Sequence, residues 1–399
     1  MLNRAAARKV LSFHPQCQRI GLTHLCFADD LLIFTKGSEE AVGTVATILE
    51  KFYLVSGLRC NPSKSEIFCA GVNEEVKKTL VNCFGFKEGT LPVMYLGIPL
   101  SAGKLKAVDC KALVEKITSR IRGWQPKLLT YARKIQLIVA VLASISQYRM
   151  NIIQLPKKVI KEVESMCSKF LWSNMEQNKK AKVAWKHAAF PKEEGGLGFR
   201  DLWSWNQACL ARHIWVVLAN QETLWIAWLK EYWLRNISIW ETQIRGSWVW
   251  NKILKTRPLL NSSLVCTEAG VEWNGAVMTR FSIKTVWDSL RPRRETVPWA
   301  SLVWKGPLIP KNSLITWLVI QDRITTLDKV KKWNPDVLDI CPLCHSDPET
   351  RDHLFFSCSY VRTVWSIVFD PWQISLGWTF QSGVLAAVTR LGDTPKHNT

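Results

Sequence analysis

The stretch that decides the fold reads Leu22-Thr-His-Leu-Cys-Phe-Ala-Asp-Asp-Leu-Leu-Ile-Phe34. Apolar residues flank Asp29 and Asp30 on both sides, a pattern typical of two short strands joined by a tight turn. We expect a hairpin that carries both carboxylates at a buried tip. Crowded carboxylates repel each other unless cations lie between them, as in a two-metal phosphoryl-transfer site. Aspartate is also a common turn residue, so the pair alone is a weak signal.

Three further stretches follow the hairpin in a fixed order. They are Ser56-Gly-Leu-Arg-Cys-Asn-Pro-Ser-Lys-Ser65, Tyr95-Leu-Gly-Ile-Pro-Leu100 and a cysteine/histidine cluster that begins at Cys341. Together with Phe27-Ala-Asp-Asp30, they resemble the reverse transcriptases of plant LINE-type (non-LTR) retrotransposons. In that family the stretches correspond to the catalytic hairpin, the palm motif that follows it, the primer-grip turn and a zinc-binding domain.

The resemblance implies an α+β fold with a partial polymerase palm, a mainly helical thumb and connector, and a small C-terminal zinc-binding module. The expected boundaries are palm 1–104, thumb and connection 105–235, Trp-rich connector 236–296, zinc-binding domain 297–375 and C-terminal tail 376–399.

The resemblance also implies RNA-templated DNA synthesis, in which a primer hydroxyl attacks the α-phosphate of a deoxynucleotide with the help of two Mg²⁺ ions. Asp29 would be a main magnesium ligand, and Asp30 a secondary ligand or an electrostatic support. Lys64 stands where the family carries a residue that protonates the departing pyrophosphate. A surface lysine after a turn is an equally good interpretation of the local sequence. The primer end would be positioned by Tyr95, Leu96 and Gly97.

A two-metal polymerase needs a third carboxylate, which this family carries on a strand upstream of the hairpin. No Asp or Glu occurs between Met1 and Ala28. The first residues resemble the end of the helix that precedes the hairpin in the family, so we expect the chain to begin within the palm. Glu39 and Glu40, at the start of the next helix, are poor substitutes. The expected site is recognisable but incomplete, and active only if the absent portion is supplied.

A metal-ligand pattern lies near the end of the chain. Cys341-Pro-Leu-Cys344, His353 and Cys358 have the spacing Cys-x2-Cys-x8-His-x4-Cys. A Cys-x2-Cys turn places two thiolates on one side of a knuckle, and a downstream His and Cys can complete a tetrahedral zinc site. Because protein atoms fill all four positions, the zinc would be structural. His345 is a competing ligand, but its position next to Cys344 would strain it.

The composition indicates a basic globular protein. The net charge is +20 over 399 residues, and residues 101–200 hold 20 Lys and Arg against 7 Asp and Glu. Such a surplus suits contacts with nucleic-acid phosphates, although a solvated basic face is the plainer explanation. The expected partners are an RNA template, a DNA primer or target and, if the chain is active, deoxynucleotides. The oligomeric state is not indicated.

The cysteine usage and the absence of apolar spans bear on the compartment. The 12 cysteines lack secreted-type spacing, and the chain shows no signal segment or membrane-length apolar run. We therefore expect no membrane contact and a reducing compartment, nuclear or cytoplasmic. The basic first residues could also belong to a mitochondrial transit peptide, but the family resemblance already explains them as a helix end.

Two helices are predicted with specific ends. Ser38 can cap a helix that ends at Gly57, and Pro156 begins a second one with Val159, Val163, Met166 and Phe170 on its apolar side. A third helix, over residues 132–150, is expected to be more buried.

The 21 tryptophans could stack on bases, but packing is the more common use of such residues. Trp248-Val-Trp250 is typical of a strand.

Two other hypotheses compete with a polymerase. The chain could be a non-enzymatic, zinc-containing nucleic-acid-binding protein made of the thumb and the zinc module. A weaker alternative is a decayed relic that does not fold.

Overall fold

The computed structural model describes residues 1–124, 129–172, 181–305 and 309–369. These residues form two compact units, each assembled from separate parts of the chain. The first unit contains Met1–Asp109, Arg149–Gln154 and Gln207–Val286. The second unit contains Cys110–Tyr148, Leu155–Asn206 and the described residues from Trp287 onward. The tail expected at 376–399 lies outside the described residues.

Short helices and strands alternate along the chain. The helices are α1 Leu2–Ala7, α2 Glu39–Ser56, α3 Glu74–Phe84, α4 Lys111–Gly123, α5 Tyr131–Leu137, α6 Ala143–Met150, α7 Lys157–Trp172, α8 Trp185–Ala188, α9 Leu202–Leu218, α10 Leu224–Leu229, α11 Trp248–Leu254, α12 Ile283–Leu290, α13 Ala300–Trp304, α14 Pro310–Ile320, α15 Leu327–Lys331 and α16 Ser359–Phe369. The strands are β1 His24–Phe27, β2 Asp30–Ile33, β3 Glu66–Ile67, β4 Lys87–Glu88, β5 Val93–Tyr95, β6 Ile98–Leu100, β7 Leu264–Thr267, β8 Gly270–Trp273 and β9 Ala276–Val277.

The described strands form four small sheets. β1 pairs with β2 and β5 with β6, both antiparallel, whereas β3 pairs with β4 in parallel. β7, β8 and β9 form an antiparallel meander. This mixture of helices and small sheets confirms the α+β class. No helix in the described ranges has both the length and the apolar composition that a membrane crossing requires.

Local sequence signals explain the ends of α2. The Ser38 hydroxyl accepts a hydrogen bond from the Ala41 amide, and Glu39 and Glu40 lie in the first turn. Both features stabilise a helix N-terminus, where amide groups lack intrahelical partners. The helix ends at Gly57, which adopts a left-handed conformation with φ 71°. The predicted cap and stop are confirmed.

The core of the first unit around the hairpin is small. Leu2, Ala6 and Leu11 are buried together with Val45 of α2, and Ile33 of β2 packs against this cluster. One side of the β1–β2 hairpin is therefore fixed to α1 and α2.

One arginine organises the segment between α10 and β7. The guanidinium of Arg257 donates to the backbone oxygens of Ile239, Trp240, Thr242 and Leu254. These carbonyls lie outside regular ladders and would otherwise need water as a partner. A single side chain thus links four backbone positions of this segment.

The second unit is built around α7. Val159, Val163 and Phe170 are buried as expected, and α7 begins directly after Pro156. The Trp172 ring at its end stacks on Trp317 of α14, with centroids 6.5 Å apart.

Two predictions about local structure, one of a strand and one of a buried helix, are wrong. Trp248-Val-Trp250 is the first turn of α11, because the Ser247 hydroxyl accepts from the Trp250 amide and caps a helix. The helix over 132–150 contains a π-helical segment, Ile138–Leu142, and is not mainly buried, since the Val139 side chain is 46% exposed.

Glu164 of α7 gives the second unit a pH-sensitive contact. Burial and the neighbouring Asp201 raise the pKa of its carboxyl to about 7, against weaker opposing effects of the Leu202 amide and Lys161. The folded chain therefore holds a proton between about pH 4.5 and pH 7 that the unfolded chain releases.

We predict that the unfolding temperature of the wild type falls as the pH rises through this window. Glu164→Gln should flatten that dependence and raise the unfolding temperature most above pH 7, because Gln carries no charge to desolvate. Thermal unfolding measured by circular dichroism across the window tests this. Glu162→Gln, an exposed site on the same helix, is the control. Parallel pH profiles for the wild type and Glu164→Gln would contradict the prediction.

Candidate functional site

The hairpin carries Asp29 and Asp30 at its tip, as the sequence predicts. Phe27 pairs with Asp30, and Ala28 and Asp29 form the two-residue turn. Ala28 adopts φ 52°, a left-handed conformation that costs roughly 1 kcal/mol for a residue with a Cβ. Strain of this kind is often found at functional turns, where the surrounding strands enforce it.

The expected burial of this tip is wrong. Asp29 and Asp30 are both exposed, and Phe27 is 61% exposed. The physical reason is that β1 and β2 pair only with each other among the described strands, so no neighbouring strand shields the tip at either edge of the ribbon. Within the described ranges, neither carboxylate has a hydrogen-bond or ion-pair partner, and no third metal-ligating side chain joins them.

Lys64 lies in an exposed turn that its neighbours fix. The Asn61 side-chain oxygen accepts from both the amide and the hydroxyl of Ser63, and the Lys64 amide donates to the Asn61 carbonyl. The backbone at Lys64 is therefore held, while its ammonium group is free of any partner in the described part of the chain. The structure does not bring Lys64 into contact with either aspartate.

Tyr95, Leu96 and Gly97 form the turn between β5 and β6. Leu96 and Gly97 adopt φ 48° and 76°, as in a two-residue hairpin turn that matches the strand twist. The Arg149 guanidinium donates to the Gly97 carbonyl over 3.0 Å. Sequence reasoning missed Arg149, because a contact across 52 residues leaves no local signal.

We predict that Arg149→Gln loosens this turn without unfolding the first unit. Losing one charge-assisted hydrogen bond should lower local stability by about 1 kcal/mol. Amide hydrogen exchange of residues 95–98 should then become several-fold faster, while exchange in β1 and β2 stays unchanged as an internal control. Unchanged exchange at the turn would show that Arg149 does not hold it.

The cysteine/histidine cluster is gathered into one place. The possible ligand atoms of Cys341, Cys344, His353 and Cys358 all lie within 4.8 Å of one another. The Cys341 and Cys358 sulfurs are 4.0 Å apart, and the Cys344 sulfur is 3.2 Å from Nε2 of His353. Ligand atoms around a tetrahedral zinc ion are separated by roughly 3.5–3.8 Å, so the donor set and its spacing fit zinc. His345 is exposed and lies outside the group.

Backbone geometry presents these ligands. The Cys341 amide donates to the Asp347 carbonyl and the His345 amide to the Cys341 carbonyl, which closes the knuckle. His353 begins a π-helical turn, His353–Ser357, in which its carbonyl accepts from the Cys358 amide. This bond from residue i+5 to residue i closes one wide turn, so the two ligands at its start and end lie next to each other.

The two knuckle cysteines differ electrostatically. Amide hydrogen bonds from Asp347 and Ser346 and a contact with His353 lower the pKa of Cys344 to about 6. Burial instead raises the pKa of Cys341. A buried thiol of this kind becomes a thiolate when a metal replaces its proton.

Two family models match parts of this chain. The family described as reverse transcriptase (RNA-dependent DNA polymerase) matches residues 3–100, and the family described as zinc-binding in reverse transcriptase matches residues 281–365. Two parts of this chain therefore match reverse transcriptase families, one at the hairpin and one at the cysteine/histidine cluster. Both matches imply nucleic-acid binding. They also make zinc the cofactor of the cysteine/histidine cluster and magnesium the metal that the family uses in catalysis.

Two relatives come from Arabidopsis thaliana. A ribonuclease H protein is 35% identical over 147 residues, which are 35% of this chain and 24% of the relative. An uncharacterized mitochondrial protein is 35% identical over 124 residues, which are 30% of this chain and 80% of the relative. The chain thus spans about a quarter of the length of the first relative.

We predict that Cys358→Ser, or removal of zinc by a chelator, unfolds the knuckle region. We expect this unfolding to be limited to the knuckle region. Because Trp317 of α14 packs on Trp172 and donates to the Gly195 carbonyl, α14 should stay folded while residues 339–358 lose protection. Zinc content per chain and hydrogen exchange measure both effects.

Cys266→Ser is the matched control for this prediction, because Cys266 is exposed on β7 and belongs to the other unit. It should retain zinc. Full protection of 339–358 without metal would refute a structural role for zinc.

Proposed function

We propose that this chain is part of a plant LINE-type (non-LTR) retrotransposon reverse transcriptase and contributes the Asp-Asp half of its two-metal site. The observation that carries the proposal is the strained two-residue turn bearing Asp29 and Asp30, inside the region that matches the polymerase family. The order of hairpin, primer-grip turn and zinc knuckle along one chain supports the non-LTR type, and the two Arabidopsis relatives support the plant origin.

In this proposal, Asp29 and Asp30 offer their free carboxylate oxygens to magnesium. Bound Mg²⁺ would polarise the α-phosphate of the incoming deoxynucleotide and lower the pKa of the primer hydroxyl. Lys64 would give a proton to the departing pyrophosphate, for which its unpartnered ammonium group is suited. The primer end would rest on the turn formed by Tyr95, Leu96 and Gly97, which Arg149 fixes from behind.

A third carboxylate must come from outside the described residues, because none of these joins Asp29 and Asp30. Two metals held by two carboxylates would leave the site too positive and too loosely positioned for in-line attack. We therefore propose that the chain is active only together with a segment that supplies this carboxylate. The non-enzymatic alternative is not favoured, since the polymerase family itself matches the hairpin region.

The remaining assignments follow from the same proposal. Cys341, Cys344, His353 and Cys358 would hold a structural zinc, and the partners would be an RNA template and a DNA primer or target. The proposed boundaries are 1–104 for the palm, 105–235 for the thumb, 236–296 for the connector and 297–375 for the zinc domain. Reverse transcription onto genomic DNA would require nuclear access after synthesis in the cytoplasm.

Primer extension on an RNA template with Mg²⁺ tests the proposal. The chain is assayed alone and together with a palm segment from a related retrotransposon that carries the upstream aspartate. We expect incorporation only in the second case, and Asp29→Ala should reduce it to background because the magnesium site is lost. Glu50→Ala, an exposed acid on α2, should leave incorporation unchanged.

Incorporation that survives Asp29→Ala would exclude the proposed chemistry. Failure of the folded, complemented protein to extend any primer would count equally against it.

A further inference from the structure

Four basic or ionisable side chains of the second unit meet on its surface. One Nη of Arg294 lies 2.8 Å from Nδ1 of His187, and Lys186 and Arg323 are close enough to act on the same imidazole. Burial, Arg294, Lys186 and Arg323, in that order, lower the pKa of His187. Each charged group that acts on this histidine is therefore a cation. We call Lys186, His187, Arg294 and Arg323 the basic cluster.

The guanidinium of Arg294 is positioned by neutral groups. It lies over the Phe190 ring, 3.8 Å from the centroid, and donates to His187, which must be the neutral tautomer with its proton on Nε2. In the described part of the chain, no carboxylate pairs with the Arg294 side chain. A planar guanidinium that is already stacked loses little freedom when it binds a phosphate in a bidentate way.

A buried ion pair holds Arg294 in place. Arg291 makes two hydrogen bonds to the Glu194 carboxylate, of 2.8 and 2.6 Å, and both side chains are only 10% exposed. Glu194 also accepts from the Arg294 backbone amide over 3.1 Å. The Glu194 carboxylate is thus neutralised by Arg291, and no carboxylate of the described residues forms an ion pair with the Arg294 guanidinium.

The short helix α8, which carries His187, is held in place by packing. Trp185, at the start of α8, stacks on Phe199 with centroids 4.7 Å apart and planes at 8°. Gly196 closes the loop beneath it, because a Cβ at this position would overlap the Phe190 carbonyl. The cluster is therefore built on a rigid loop and is not a set of freely moving surface lysines.

We propose that the basic cluster is a contact site for the phosphate backbone of a nucleic acid. Cations gathered in one place repel one another, and a polyanion relieves that repulsion while releasing its counterions. Contacts with phosphates carry no sequence information, so the binding that we propose does not depend on base sequence. The proposal rests on the proposed function, because it names a surface by which that polymerase holds its template or target.

The test compares duplex binding by the full chain and by a triple variant, Lys186→Gln, Arg294→Gln and Arg323→Gln. Fluorescence anisotropy of a labelled RNA–DNA hybrid is measured over a range of sodium chloride concentrations. Removing three phosphate contacts should make the slope of log K against log salt shallower by about 2 to 3, with affinity lowered roughly tenfold or more at moderate salt. A control triple variant, Arg245→Gln, Lys255→Gln and Arg280→Gln, loses the same charge from exposed sites of the connector.

Three checks keep the outcome decisive. Arg294→Lys keeps the charge but loses the stacked fork, so it should bind less tightly with an almost unchanged slope. If Arg294→Gln impairs folding, the double variant Lys186→Gln with Arg323→Gln takes the place of the triple variant. It keeps the contacts of Arg294 with Phe190 and Glu194 and should still make the salt dependence of binding shallower. Circular dichroism and zinc content verify the fold of each variant.

Equal binding by the wild type and a folded cluster variant would overturn this inference alone, as would an equal loss in the control. A wild-type chain that binds no hybrid at any salt concentration would overturn both this inference and the proposed function. If the cluster variants bind the hybrid normally but lose binding to polyglutamate, the surface takes an acidic protein and the proposal is wrong.

Discussion

The close approach of Gly196 to the Phe190 carbonyl is the constraint on which the second unit depends. Only a residue without a Cβ permits this approach, and the amides of Gly196 and Gly198 then bond to the carbonyls of Pro191 and Phe190. The closed loop turns the Gly195 carbonyl toward Trp317, whose indole N–H donates to it over 2.9 Å. Segments that lie more than a hundred residues apart are thereby joined at one point.

The buried pair of Glu194 and Arg291 extends the same loop. Hydrogen bonds from Arg291 lower the pKa of Glu194 despite its burial, so the carboxylate stays charged where an isolated acid would take up a proton. Removing one partner of such a pair typically costs about 3–5 kcal/mol, because the other charge is left buried without compensation. Lysine could not replace Arg291, since one ammonium group cannot bond both Glu194 oxygens and Asp288 in the same plane.

The features that could be predicted from the sequence are those that depend on interactions between residues close together in the chain. The Ser38 cap, the start of α7 after Pro156, the Asp29–Asp30 turn and the grouping of the zinc ligands depend on neighbours a few residues away. The exposure of the hairpin tip could not be predicted, because burial depends on whether another strand covers it. The contact of Arg294 with His187 spans 107 residues and leaves no periodic signal. The alternation of Trp248 and Trp250 is typical of a strand, and the strand prediction is wrong because the hydrogen bond that caps a helix at Ser247 favours a helix.

The cysteine/histidine cluster and the proposed magnesium site obey different physical rules. Exposed carboxylates are well solvated, so Asp29 and Asp30 remain at the hairpin tip without an ion and the backbone bears no cost beyond the strain at Ala28. Two buried cysteines and a buried imidazole are costly to desolvate, so we expect the knuckle to need its ion in order to fold. Zinc would therefore decide whether this part of the second unit folds, while the proposed magnesium would affect only the chemistry at the hairpin. Because the zinc cluster and the hairpin belong to separate units, loss of the proposed polymerase chemistry need not unfold the zinc region.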